Sequence, residues 1–230
     1  MSIGTPTAII TGTTGASNWP NAGASAGFPI TANIVAGNLL VAVLAFNALG
    51  ASTVTSMSDG TNAYGKAVSL AIGGPTDIEI WYCANAKAVS AGATLTVNLS
   101  TGMGNQSGNI GAFQVPGANS VDATNSGSAG ATTSISLSTA ALAQPNEIVF
   151  GTALNISSGA YQTPSGWTNI YSSGVGGFNF AMDYKIVAPQ TAVTYVPTWA
   201  SSGLRIAALV ATFVPALTGR PLRRITYRRT

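Results

Sequence analysis

The 230-residue sequence contains no histidine and a single cysteine, and only 7% of its residues are charged. Without histidine there is no Ser-His-Asp triad, and the side chain most used as a general base and metal ligand near neutral pH is missing. With one cysteine, Cys83, no intramolecular disulfide can form. Cys83 falls in an expected strand, where it reads as a buried, inert thiol. Six Asp and Glu residues are scattered along the chain, so neither a zinc site nor any other metal or cofactor is expected. Long apolar runs are also absent. Residues 39–46 and, with one Thr, 206–217 are the longest, well short of the ~20 residues needed to span a bilayer. The start, Met1-Ser-Ile-Gly-Thr-Pro6, has no basic region followed by an apolar run, so a soluble chain made in the cytoplasm is expected.

What is present points to β structure. Ser and Thr number fifty, so hydroxyls, more than charges, wet the surface, which suits close lateral packing of subunits. Residues 94–99 alternate, with Leu95, Val97 and Leu99 on one face and Thr94, Thr96 and Asn98 on the other. Phe178, Phe180, Met182, Tyr184 and Ile186 form a second period-two stripe, and residues 134–138 a third. Leu39 to Phe46 reads as a strand buried on both faces. Turn clusters at 58–62, 73–75 and 174–177 separate these runs. Residues 84–91 and 138–143 could each hold a turn or two of helix.

A weak internal repeat runs through the chain at a spacing of about 100 residues. Residues 37–44 resemble 145–152, 58–64 resemble 165–171, 80–82 resemble 182–184, and 112–116 resemble 211–215, in the same order. Duplicated strand sets most simply form two sheets packed face to face. The expected fold is therefore an all-β, antiparallel, jelly-roll-like sandwich built from two strand sets. Residues 1–35 would form an N-terminal segment with the first strands, 36–116 the first repeat, 117–131 a crossover and 132–217 the second repeat. One shared core and two separate subdomains both fit this pattern.

Catalytic patterns are weak. Gly23-Ala-Ser-Ala-Gly27 matches the nucleophile elbow but has no base to serve it. Gly65 and Lys66 lack the upstream glycine of a phosphate loop. Asp77 and Glu79 stand two apart on a strand and share a face with Trp81, an arrangement a glycosidase could use. The plainer reading is a solvent-facing edge whose acids discourage strand pairing. Four Trp and seven Tyr could stack on sugars, although aromatics in sandwiches more often pack the core. No enzymatic activity is expected.

The strongest local signal is the segment 218–230, an Arg-rich arm. Arg220, Arg223, Arg224, Arg228 and Arg229 alternate with Leu222, Ile225 and Tyr227, and the arm contains no acid. Such an arm offers charge and apolar anchors to an acidic neighbouring subunit. Contact with nucleic acid is a rival use, and a solvated terminus is the bland one.

The block Ala36-Gly-Asn-Leu-Leu-Val-Ala42, the turn Ser165-Gly-Trp-Thr168 and the strand rhythm over residues 36–216 resemble β-sandwich virion structural proteins of tailed bacteriophages. These comprise head decoration proteins, head fibres and tail-fibre modules. Where that family usually has Gly-Asp-Leu, this chain has Asn38. The resemblance implies a non-enzymatic capsid decoration or head-fibre protein, located in the virion. Its partners would be major capsid or tail subunits, bound in multiple copies as a homo-oligomer for which a trimer is one arrangement. The alternative is a tail-fibre or spike module that recognises host surface glycans. Membrane and nucleic acid are not expected as partners.

Overall fold

The computed structural model describes residues 2–10, 23–47, 52–72, 76–101, 108–156, 159–175, 178–203 and 205–216. Every regular element among them is a β-strand. In chain order these are β1 (Thr7–Ala8), β2 (Ser25–Pro29), β3 (Leu39–Asn47), β4 (Val54–Ser58), β5 (Ala63–Ala71) and β6 (Thr76–Cys83). Next come β7 (Thr94–Leu99), β8 (Gly108–Val115), β9 (Ala118–Ala129), β10 (Leu137–Ser138), β11 (Glu147–Asn155) and β12 (Tyr161–Gln162). The series ends with β13 (Thr168–Val175), β14 (Phe178–Val187), β15 (Thr194–Tyr195), β16 (Thr198–Trp199) and β17 (Ile206–Pro215).

An eight-stranded sheet, ordered β1-β8-β3-β6-β5-β4-β7-β2, curls into a half-barrel and faces a five-stranded sheet ordered β13-β14-β11-β17-β9. Two short ribbons, β10-β15 and β12-β16, complete the antiparallel sandwich. The period-two patterns account for the layers. On β3, Leu39, Val41, Val43 and Ala45 face the second sheet, while Leu40, Ala42, Leu44 and Phe46 fill the hollow of the curl. Burial on both faces is why this run lacks polar alternation. Between the sheets, Phe150 lies edge-on to Phe213, with ring centroids 6.1 Å apart. The hollow of the first sheet holds a second cluster around Phe28, Met57 and Trp81. A third, around Trp167, Tyr195 and Trp199, covers the outer face of the second sheet. The halves thus share one core, and each keeps a private one.

The strand order β8-β3-β6-β5 of the first sheet recurs as β17-β11-β14-β13 in the second. Val41 pairs with Tyr82 and Phe113, and Phe150 pairs correspondingly with Tyr184 and Ala211. A β-bulge recurs as well. The register slips between Lys66 and Val68 on β5, and between Asn169 and Tyr171 on β13. Each central strand is entered through a left-handed residue, Gly37 (φ 86°) before β3 and Asn146 (φ 61°) before β11. Glycine and asparagine are the residues that tolerate this backbone.

These equivalences correct parts of the sequence reading. Gly37 corresponds to Asn146 and not to Pro145, so the match of 37–44 with 145–152 is one residue out of step. The match of 112–116 with 211–215 is out by one as well, because Phe113 corresponds to Ala211. A one-residue slip exchanges the two faces of a strand, and Ala/Gly/Thr-rich segments align almost equally well at either register. Residues 117–131, expected as a crossover, contain β9, which pairs along β17. Residues 84–91 are not helical: Ala86 donates to the Asn38 carbonyl and Lys87 N–H to the Asn62 side chain, so strands and turns take the bonds a helix would use. Residues 138–143 are likewise without helix, and of the stripe 134–138 only β10 pairs as a strand.

Candidate functional site

Alternation on β6 sends Ile78 and Ile80 between the sheets and Asp77, Glu79 and Trp81 to the opposite face. This strand lies between β3 and β5, and Asp77 and Glu79 are both buried. The solvent-facing edge expected for these acids is therefore not what forms. Lys66, brought opposite Trp81 by the register just before the bulge, places its ammonium 2.8 Å from Glu79 Oε1. Trp81 Nε1 donates to the other oxygen, Oε2. The ammonium also sits 5.1 Å from the centre of the Trp81 ring, within cation–π range. Asp77 Oδ1 accepts the Ile78 N–H at 2.8 Å. Burial pushes both carboxyls above the usual range; Lys66 opposes this for both, joined by Trp81 at Glu79 and by the Ile78 N–H at Asp77. A nucleophile or general acid needs an oxygen facing substrate, and both oxygens of Glu79 are occupied. The cluster ties β5 to β6.

The equivalent place in the second sheet holds another buried carboxylate. Asn169 pairs with Asp183 just before the second bulge, and its Nδ2 donates to Asp183 Oδ1 at 2.9 Å. Oδ2 accepts the hydroxyls of Tyr161 and Tyr195, the latter at 2.7 Å. Burial raises the Asp183 pKa and the three donors oppose it. Trp167 packs on Tyr195 with centroids 4.7 Å apart, and Trp199 on Tyr161 at 5.6 Å. The three described tryptophans, Trp81, Trp167 and Trp199, are 3–9% exposed. They stand in the cores and offer no open stacking surface.

A third carboxylate site, absent from the sequence reading, pairs Asp122 with Glu147 and joins β9 to β11. Ala143 N–H donates to Asp122 Oδ2 at 2.9 Å, and the next amide, Gln144 N–H, to Glu147 Oε1 at 3.0 Å. No local pattern announces this site, because Asp122 and Glu147 lie on different strands. Likewise, Lys66 and Glu79 become partners only through strand pairing.

Of the other sequence candidates, Ser25 begins the edge strand β2, and Cys83 is half-buried at the end of β6, with its thiol pKa raised by burial and by Asp59. Arg220, Arg223, Arg224, Tyr227, Arg228 and Arg229 lie outside the described residues, as does Trp19. Five of the six acids, Asp59, Asp77, Glu79, Glu147 and Asp183, are buried, and Asp122 is half-exposed. Among the described cations, Lys66, Lys87 and Arg205 are exposed. No helix among the described residues is long and apolar enough to cross a membrane. No protein-family profile, curated protein or solved structure matches this chain.

Proposed function

We propose that this chain is a structural subunit of a bacteriophage virion, a capsid decoration or head-fibre protein that docks onto neighbouring subunits through its Arg-rich segment 218–230. The observation that carries this reading is the burial of the body's acids. Five arginines in that segment need anions to neutralise them, and the body presents only Asp122 as a half-exposed carboxylate. On this reading the counter-charge comes from a neighbouring subunit. Leu222, Ile225 and Tyr227 interleave apolar anchors with the charges, which favours the acidic, grooved surface of a protein over a phosphate backbone. The clusters at Glu79 and Asp183 support a non-enzymatic role, because their carboxylate oxygens are engaged by donors from neighbouring strands. The reading as a glycan-binding tail-fibre module has less support, because the described tryptophans are buried.

Deletion of residues 220–230 tests the proposal. The shortened chain should keep the melting temperature of the full chain and lose its occupancy on particles. Binding of the full chain should weaken as salt rises. Unchanged occupancy of the deletion variant would overturn the reading, as would binding to naked DNA in place of particles.

A further inference from the structure

The pair Asp122 and Glu147 differs from the other buried carboxylates in one respect. Glu79 and Asp183 have both oxygens satisfied, whereas Glu147 Oε2 is buried and accepts no hydrogen bond. The Glu147 side chain is 0% exposed. Thr212, a neighbour on β17 whose hydroxyl also reaches toward Glu147, exchanges hydrogen bonds with Ala123, accepting the N–H at 2.9 Å and donating to the carbonyl at 3.3 Å. The single ion pair among the described residues is Lys66–Glu79, so no described cation balances this pair.

The first half supplies an internal control. By the strand equivalence, Glu147 stands where Asn38 stands, and Thr212 where Gln114 stands. There Asn38 Nδ2 donates to Gln114 Oε1 at 3.0 Å, Val35 N–H donates to the same oxygen at 2.9 Å, and Gln114 Nε2 donates to the Asn33 carbonyl at 2.9 Å. The same architectural position is closed with neutral amides in one half. In the other it is left open with an acid pair.

We propose that Glu147 and Asp122 bind a divalent cation of the calcium class. Two consecutive backbone amides hold one oxygen of each carboxylate. A bound cation supplies the counter-charge that a buried carboxylate needs. Oxygen-only ligands select a hard cation, and calcium tolerates the irregular, partly water-filled shell that two carboxylates leave. Asp122 is half-exposed, which gives the ion and its waters a way in. With only two acidic ligands, affinity falls in the range of weak calcium modules, Kd about 10⁻⁴–10⁻³ M.

The test uses the full chain, stripped with chelator and titrated with CaCl2 by calorimetry and thermal denaturation. The expected result is a one-site isotherm and a Tm that climbs about 3–6 °C for each tenfold of free Ca2+ above the Kd. The near-isosteric Glu147→Gln and Asp122→Asn variants should each lose at least about tenfold in affinity. Asp122→Asn removes one of the two facing acids at a half-exposed side chain, so its Tm in chelator should be no lower than that of the parent, which shows that the fold survives. The rival is a proton shared between the two acids, because burial raises the Glu147 pKa. In that case there is no heat and no Tm response up to roughly 10 mM Ca2+, and stability falls as pH rises through the raised pKa. That result would overturn the proposal. So would a calcium response that persists in the Glu147→Gln, Asp122→Asn double variant.

Discussion

Replacing Lys66 by methionine probes whether the Glu79 cluster is a structural tie. Methionine keeps an apolar stem over Trp81 and removes the ammonium that meets Glu79 Oε1 at 2.8 Å. Glu79 is then left with Trp81 as its side-chain donor, in a position with no solvent exposure. Breaking a fully buried pair costs about 3–5 kcal/mol. The Lys66 side chain is 32% exposed, so water reaches that side of the cluster and the cost falls to about 2–3 kcal/mol. For a chain of this size that corresponds to a Tm lower by about 4–12 °C. The loss carries a pH signature. Burial already raises the Glu79 pKa, against the opposing pull of Lys66, so the variant raises it further. An acid whose folded pKa exceeds its unfolded value costs no stability below the unfolded value, about pH 4. That cost grows as pH rises to the folded pKa. The deficit of Lys66→Met should therefore be small near pH 4 and grow as pH rises toward the folded pKa. Urea denaturation followed by tryptophan fluorescence across this range measures it, and Lys66→Met, Glu79→Gln should recover most of the loss. A deficit below about 0.5 kcal/mol, or one that does not change with pH, would show that Glu79 does not depend on Lys66.

Two further outcomes follow from local geometry. A Cβ built on Gly151 would lie 2.7–2.8 Å from the Tyr195 ring, which is held by its hydroxyl on Asp183 and by Trp167. Gly151→Ala should destabilise by about 1–3 kcal/mol through overpacking, whereas the corresponding residue in the first half is already Ala42; an unchanged Tm would mean the ring is not pinned. Burial raises the pKa of the Cys83 thiol, so Cys83 should react with a disulfide reagent more slowly than a free cysteine at the same pH, and an equal rate in the native state would refute that.

Much of the strand layout was legible because burial imposes a period. Residues 94–99 form β7, with Leu95, Val97 and Leu99 buried as their alternation implies. Leu39 to Phe46 is uniformly apolar because β3 lies between two cores. The stripe beginning at Phe178 is β14, although Ile186 is 41% exposed near the end of its strand. The order of similar segments along the chain anticipated the recurring strand order, but their register was readable only to within a residue or a few. Low-complexity segments carry too few large side chains to discriminate between neighbouring alignments. The bulges, the left-handed entries and the face assignments supplied what was missing.

The acids mark the division most clearly. Sequence alone determined that the chain is all-β, poor in charge, without histidine, and tipped by an arginine-rich segment, because these are properties of composition and of period-two patterning. It could not determine that Glu79 would meet Lys66, that Asp183 would sit under two tyrosines, or that Asp122 and Glu147 would be held by adjacent amides. Those partners lie on different strands, and strand pairing is a long-range choice made by the packing of whole sheets. Only the tertiary structure decided which carboxylates are satisfied, which oxygen is left without a donor, and how little negative charge reaches the surface.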